Sequence, residues 1–546
     1  MRRVFVRSPA TPAFIRCREF LSEVAPRRLR AMTPILAWAT ISIGLGFILG
    51  LASVALPPAG ALGIVAVAAL LLLWALPEFR SPPSIWVRRL FYAMIVVDLC
   101  IPFYYTIELE SLPWISMRRI VTFPLIVVSA LAIAGSGKVR TKLAEAAGAS
   151  RTIVCGAIAF YASIVLSLPF SINPSGSVAQ FSDATLIWFI PLLTVIQVIN
   201  GERDVERLVR VLCVCAVFVT ALGIIEFRLQ HRFLVDIVPG WLLDKDYLAD
   251  ADLSSFRNGM YRASSVYTVS LSFGEYEAMM APFGLYYFFH GGCWRDKAFG
   301  VVTFVTACAG IFVSGARGAY MAVLLATAVF VALYSVRTAR FEPRSLTPAV
   351  VALASIVVFA VVIALVIFWQ RAHNLVLGDG MSAYSDQARY DQWELAKPQI
   401  VKSPLFGQGF AQGAHIVGYH TPGGFPTIDS YVISLLVETG LFGFLSFAAI
   451  LLMSIWTSAQ LYLSKNVALS ALMGAFTCSF VGFGFYRLAL SQRENHTAFF
   501  VMVGIVAVAN KLIREHGAAP QSSSGRTNVG GYGTNRAAIQ PRRILL

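Results

Sequence analysis

The chain has 546 residues, 57% of them hydrophobic and only 13% charged, with a mean hydropathy of +0.70. A soluble protein of this size carries about twice that charged fraction, so the composition excludes a soluble globular enzyme and indicates an all-α polytopic membrane protein. The net charge of +15 does not indicate nucleic acid, because eight Arg against Glu19 and Glu23 give residues 1–33 a charge of +6, and Lys511 with five Arg against Glu515 gives residues 511–546 +5.

Residues 1–33 read as a basic cytoplasmic tail, since basic ends beside apolar spans follow the positive-inside rule and favour anionic lipid. The first apolar run, from about Pro34 to Leu56, is too long for a cleaved signal and reads as a span. Hydropathy predicts about fourteen spans, with 12–14 compatible. They fall at residues 34–56, 59–76, 90–107, 118–135, 152–171, 183–200, 206–226, 267–289, 297–313, 318–336, 347–369, 438–463, 467–486 and 497–512. Arg80, Arg88 and Arg89, then Lys138, Arg140, Lys142 and Arg151, then Arg203, Arg207 and Arg210 mark successive loops on one side. Arg295 with Lys297, Arg337 with Arg340 and Arg344, and Lys465 continue the series. The K/R bias makes that side cytoplasmic, with both termini on it. The opposite side receives Glu108-Leu109-Glu110, Asn173-Pro174-Ser175-Gly176, residues 227–266 and the loop 370–437. The expected organisation is therefore the tail 1–33, transmembrane helices at 34–369, a periplasmic catalytic loop at 370–437, helices at 438–512 and a disordered cytoplasmic tail at 513–546.

Six of the eight cysteines fall inside spans, and Cys17 and Cys293 fall in cytoplasmic segments, so no disulfide framework is expected. Cys213 and Cys215, two apart on a helix, point to different faces and make a poor metal pair. In the loop 370–437 a helix is expected over Asp386–Val401, kinked or shortened at Pro398. Gly/Pro turns follow in Ser403-Pro404-Leu405-Phe406-Gly407-Gln408-Gly409 and Thr421-Pro422-Gly423-Gly424-Phe425-Pro426.

Arg317, in Ser314-Gly315-Ala316-Arg317-Gly318, sits at the junction of two spans. A charge there costs several kcal/mol unless it faces a wet cavity or a partner. A guanidinium fork binds phosphate oxygens bidentately and stays charged, so arginines at such a cavity suit a lipid-linked pyrophosphate.

In order, Tyr261-Arg262-Ala263-Ser264-Ser265-Val266, the Gly315-Ala316-Arg317-Gly318 element, and Arg389-Tyr390-x-x-Trp393-x-x-Ala396 lead into Ser403-Pro404-Leu405-Phe406-Gly407-x-Gly409. Asp429-Ser430-Tyr431 then precedes Glu438-Thr439-Gly440-Leu441-Phe442-Gly443. This series, over about residues 255–450, resembles the O-antigen ligase and Wzy-type polysaccharide polymerase superfamily. Ser265 stands where that family commonly has Gly. Ile428-Asp429-Ser430 stands where its ligases carry His-Asn, which favours the polymerase branch.

The resemblance implies a GT-C-like glycosyltransferase bundle in the bacterial inner membrane with its active site facing the periplasm. It implies transfer of a glycan from an undecaprenyl-pyrophosphate carrier to a sugar hydroxyl, building O-antigen or exopolysaccharide. Arg317, Arg389 and Arg262 are then the expected pyrophosphate ligands, with Arg371 a further headgroup contact. Asp429, His420 and Glu438 are the candidate bases; helix capping is the competing role for Asp429, and pairing with an arginine for Glu438. Glu275 and Glu277, early in a span, are candidate sugar ligands or arginine partners. Tyr384, with Tyr267, Tyr276, Tyr419 and Tyr431, can stack on sugar rings, though tyrosine is also an ordinary interfacial residue. No cofactor and no metal are expected. The expected partners are the lipid-linked oligosaccharide, membrane lipid, and a flippase and chain-length regulator of the same pathway. Two alternatives remain: a ligase that delivers glycan to lipid A core or another acceptor, and a flippase for lipid-linked sugars.

Overall fold

A computed structural model describes residues 78, 82–109, 112–243, 256–257, 260–368, 381–421, 424–464 and 467–518. The expected tail 1–33, the first two spans at 34–56 and 59–76, Arg371, residues 244–255 of the external segment and residues 519–546 lie outside them. The chain divides into two compact units. Of the smaller, the described residues are Glu78, Pro82 and Ile133–Gly137, the end of one helix and the start of the next. The larger, within residues 83–132 and 138–546, contains all the sites considered below.

Helix α1 (Ser84–Cys100) leads into an antiparallel hairpin of β1 (Thr106–Leu109) and β2 (Leu112–Ser116), with Ile107 opposite Ile115. Then come α2 (Met117–Gly135), α3 (Gly137–Ala149) and α4 (Arg151–Ser167). The start of α5 (Pro174–Ala184) is capped by Asn173, whose side-chain oxygen accepts from the Gly176 amide at 3.1 Å. Pro174 occupies the first turn, where no amide donor is needed. A π-helical stretch, Thr185–Phe189, joins α5 to α6 (Ile190–Val198). In α7 (Glu202–Leu229) the first turn carries Glu202 and Asp204, whose charge opposes the positive helix end. A short α8 (Phe233–Ile237) and the hairpin β3 (Phe256–Arg257) and β4 (Met260–Tyr261) precede α9 (Ser270–His290). The remaining elements are α10 (Trp294–Ser314), α11 (Arg317–Phe341), α12 (Thr347–Phe368), α13 (Met381–Lys402), α14 (Gly413–Val417), α15 (Tyr431–Glu438), α16 (Gly440–Ser464), α17 (Ala468–Tyr486) and α18 (His496–Ala518).

Among the described residues, nine helices are long and apolar enough to cross a membrane, as a multi-pass protein requires. They fall short of the fourteen expected spans. Two of those spans lie outside the described residues, and α1, α9 and α12 are not among the nine. The span expected at 90–107 ends instead at Cys100, because Pro102 cannot continue the helix and the chain turns into the β1–β2 hairpin. Pro398 does not break the loop helix, and α13 runs through it to Lys402. The last helix continues to Ala518, past the expected start of the tail at 513.

Helix α9 is buried on nearly every face along its length, so it occupies the centre and packs against α10, α11 and α17. Around it, α16 packs on α4 and α17. Val214, Phe218 and Ile225 on α7, and Val301, Val305 and Phe312 on α10, form exposed apolar stripes, the surface a lipid-facing helix presents.

At the end of the bundle where α11 starts, the loops are tied to one another by backbone hydrogen bonds. Gln408 and Gly409 donate to the carbonyls of Val437 and Glu438, and Leu441 and Phe442 donate to those of Pro404 and Leu405. The two strands of backbone cross so closely that a Cβ on Gly407 would lie 2.3 Å from the Glu438 carbonyl, and one on Gly440 would lie 2.4 Å from the Leu405 carbonyl carbon. Both glycines also have positive φ, +71° and +66°. This crossing explains why both segments are glycine-rich. Gly440→Ala is expected to lose about 1–2 kcal/mol from the left-handed backbone alone, with the clash adding to it. The loss reads as a lowered unfolding temperature of the detergent-purified protein, and an unchanged temperature would contradict the crossing.

Candidate functional site

The loop end of the bundle gathers charge in two adjoining places. The first surrounds Tyr486 at the end of α17. Its hydroxyl donates to the Leu271 carbonyl at 3.0 Å, and the charges of Glu275, Arg262, Arg487 and Arg389 all act on it. Arg262 is buried, donates through Nε to the Ser314 carbonyl at 3.1 Å, and lies along Gly315, which turns the chain at φ +58° into α11. Gly318, one residue after Arg317 in the first turn of α11, packs on the Tyr486 ring, and a Cβ there would come within 3.0 Å of it. The first turn of α11, which Arg317 opens, thus packs on the tyrosine that feels the charges of Arg262 and Arg389. A helix N-terminus adds backbone donors and a positive dipole end to that set.

Arg487, which the sequence reading passed over, is the buried partner of Glu275: Nε lies 2.8 Å from Oε1. Asn495 Nδ2 donates to Glu275 Oε2 at 2.8 Å and to the Ser272 carbonyl at 2.7 Å. Of the two roles expected for Glu275, the structure shows that of arginine partner. Glu277 is equally buried but faces away from this end, beside Gly310 and Thr220.

The second place is a cavity of about 750 Å³. Its aromatic walls include Trp188, Phe410 and Phe425, and its polar walls include Arg118, Asp183, Glu438, Arg493 and Glu494. Trp188 lies in the π-helical stretch, a local widening that occurs often at functional sites. Its ring is stacked on that of buried His496 at 4.7 Å, which holds it in place. Arg118 pairs with Asp98 at 3.2 Å, and Arg119 with Asp183 at 3.0 Å.

Among the candidate bases, Glu438 alone lines the cavity. Its carboxylate is fully engaged: Oε1 accepts from the Gly413 amide at 3.2 Å and Ser434 Oγ at 2.7 Å. Oε2 accepts from the Ala411 amide at 3.0 Å and from Arg493. The competing role, pairing with an arginine, is the one the geometry displays. His420 is exposed, with Nδ1 3.0 Å from the Gly418 carbonyl. Asp429 donates its amide to Gln392 Oε1 at 2.8 Å; Ser430, not Asp429, occupies the N-cap position of α15. Neither His420 nor Asp429 lines the cavity. Tyr384 lies within α13.

Glu494 lies between spans at the cavity wall, and its Oε1 accepts from the Thr268 amide at 3.0 Å and Thr268 Oγ1 at 2.6 Å. Burial raises its pKa above the ordinary carboxylate value, opposed by hydrogen bonds from Ser272 and Thr268 and by the Arg118 charge. Arg493, Glu494 and Arg487 were absent from the sequence expectations, yet a signal existed. Ser491-Gln492-Arg493-Glu494-Asn495-His496 is an unbroken polar run between two strongly apolar helices. Arg118 and Arg119 likewise open a span on the side that the K/R bias assigns away from the cytoplasm.

Residues 302–448 match the family model described as O-antigen ligase, and this segment is a domain of the O-antigen ligase and Wzy superfamily. The match supports activity of the O-antigen ligase and polymerase type without separating the two branches. It contains Arg317, Arg389, His420, Asp429 and Glu438. No curated protein matches the chain.

Because Arg487 and Glu275 share one buried pair, removing one partner leaves the other charge stranded. Glu275→Leu is expected to destabilise by about 3–5 kcal/mol, and Glu275→Leu with Arg487→Leu by clearly less. Thermal unfolding of the three proteins checks the order, and a double variant worse than the single would contradict the pairing.

Proposed function

We propose that the protein is a glycosyltransferase that polymerises undecaprenyl-pyrophosphate-linked oligosaccharide repeat units at the periplasmic face of the bacterial inner membrane. The observation that carries this reading is that Arg262 and Arg389 act on Tyr486 while the first turn of α11, opened by Arg317, packs on its ring, with Arg317 and Arg389 inside the matched segment. The donor already bears a good leaving group. Its departure needs stabilisation of negative charge on the pyrophosphate, which forked guanidinium groups at a helix N-terminus supply. The adjoining cavity offers aromatic faces, hydroxyls and carboxylates, the side-chain set that holds a sugar by stacking and hydrogen bonding.

On this reading both termini are cytoplasmic, and the loops around the cavity face the periplasm. A flippase that supplies the lipid-linked unit and a regulator of chain length are the natural partners. The reaction is expected to proceed without added divalent cation, since the arginines carry the charge. The description of the matched family favours one second reading, a ligase that transfers finished glycan to another acceptor.

The test is reconstitution of the purified protein with short lipid-linked repeat units. A ladder of products is expected for polymerisation, whereas single transfer to an added acceptor would establish the ligase. Transport of lipid-linked glycan across liposomes with no product would overturn the enzyme reading. Arg317→Ala and Arg389→Ala are each expected to lower turnover by about 10²–10³-fold. The corresponding Lys substitutions should retain part of the rate, because a point charge remains but the fork is lost. Full activity of both Ala variants would overturn the pyrophosphate clamp.

A further inference from the structure

The matched segment places no uncommitted proton acceptor for the incoming hydroxyl on the cavity wall. His420 and Asp429 do not line it, and both Glu438 oxygens are committed to the four donors described above. Asp183 faces it, but its carboxylate is held by Arg119. Glu494 differs from all four. Its Oε1 is fixed by Thr268, Ser272 supplies a further hydroxyl, and among the described residues no arginine forms a salt bridge with it. Neutral donors set the orientation of the carboxylate and leave acceptor capacity unused.

We infer that Glu494, outside the matched segment, is the general base that takes the proton from the acceptor hydroxyl. The inference rests on the glycosyl-transfer reading above. In the step, the acceptor O–H gives its proton to the Glu494 carboxylate and the freed oxygen pair bonds to the anomeric carbon. The bond from that carbon to the phosphate oxygen breaks, and its electron pair leaves on the pyrophosphate, where the arginines meet the new charge. The proton then passes from Glu494 to water through the cavity.

Two further observations fit. Adjacent Arg493 is anchored to Glu438 and lies 4.4 Å over the Phe410 ring, so the segment bearing Glu494 is clamped to the cavity wall. Burial raises the pKa of Glu494 toward the working range, where a base combines correct protonation with proton affinity. The ionisable groups acting on it from packed elements are Arg118 of α2, itself paired with Asp98 of α1, Glu275 of α9, and Tyr267.

The experiment compares wild type, Glu494→Gln, Glu494→Asp and Thr268→Val in the reconstituted full-length protein. It measures transfer rate against pH, binding of the lipid-linked donor, and unfolding temperature. Glu494→Gln is expected to lose about 10²–10⁴-fold in rate, the usual contribution of a positioned base, with donor binding retained. Wild-type kcat/KM should fall as pH drops through the raised pKa of Glu494, at a higher pH than an ordinary glutamate near about 4.3. Thr268→Val removes a hydrogen bond to the charged carboxylate, so the acid limb should move to still higher pH. Glu494→Gln within about threefold of wild type would overturn the assignment while leaving the reaction intact. If Glu494→Gln does not fold, Thr268→Val decides, and an unmoved acid limb overturns the assignment. A wild-type protein that transfers no glycan would overturn the reaction class instead.

Discussion

The carboxylate of Glu438 is where the loop end of this bundle is tied together. One of its oxygens holds Gly413 and Ser434, and the other holds Ala411 and Arg493. It thereby joins the start of α14, the body of α15 and the loop between α17 and α18. A charged acceptor with four donors is strong only if every donor is in place, and a partly satisfied buried carboxylate is costly. The backbone crossing at Gly407 and Gly440 brings the donors to it, since Gln408 and Gly409 bond to the carbonyls of Val437 and Glu438 themselves. The cavity depends on this knot for its shape, because Ala411, Phe410 and Arg493 on its walls are all fixed there.

Paired charges dominate the rest of this end. Asp98 with Arg118, Asp183 with Arg119, Glu275 with Arg487 and Glu438 with Arg493 are four such pairs. In each, the arginine is brought to a low-dielectric surface that it would otherwise avoid, and its carboxylate lowers the cost. Such pairs orient side chains and add little net charge. Near Tyr486, Arg262 donates to a carbonyl, and Arg317 begins a helix whose own dipole is positive at that point.

The membrane helices were legible because each is a long apolar run, and α10, α11 and α17 fall within a few residues of the spans read from hydropathy. The helix carrying Arg389, polar overall, was legible instead from Ala388, Trp393, Ala396 and Ile400 recurring near helical spacing. The site was legible only in part. Arg262, Arg317 and Arg389 stand in short motifs that can be read along the chain. The contacts that define the cavity link residues far apart in sequence: Glu494 to Thr268 across 226 positions, Arg487 to Glu275 across 212. No local pattern encodes such partners. The saturation of Glu438 was hidden too, because three of its four donors are backbone amides or a hydroxyl that carry no charge signature.

The cavity draws about half of its walls from outside the matched segment. Phe103 comes from the turn between α1 and β1, Arg118 from α2, Gln180, Asp183 and Trp188 from α5 and its π-helical extension, Thr268 from the approach to α9, and Gln492, Arg493 and Glu494 from the loop between α17 and α18. The segment itself contributes Phe410, Ala411, Ala414, Thr421, residues 425–428, Ser434 and Glu438. On the proposed reading, this separates two tasks that chemistry also separates. Pyrophosphate is the same in every lipid-linked donor, so its ligands can sit in a fixed motif at the start of α11. The acceptor hydroxyl belongs to a particular glycan, so the surface that orients it, and the base that takes its proton, are built from helices and loops outside that motif, able to vary without disturbing the clamp. Changes at Trp188, Gln180 or Gln492 should then alter which acceptor is used, and changes at Arg317 should impair transfer to every acceptor alike.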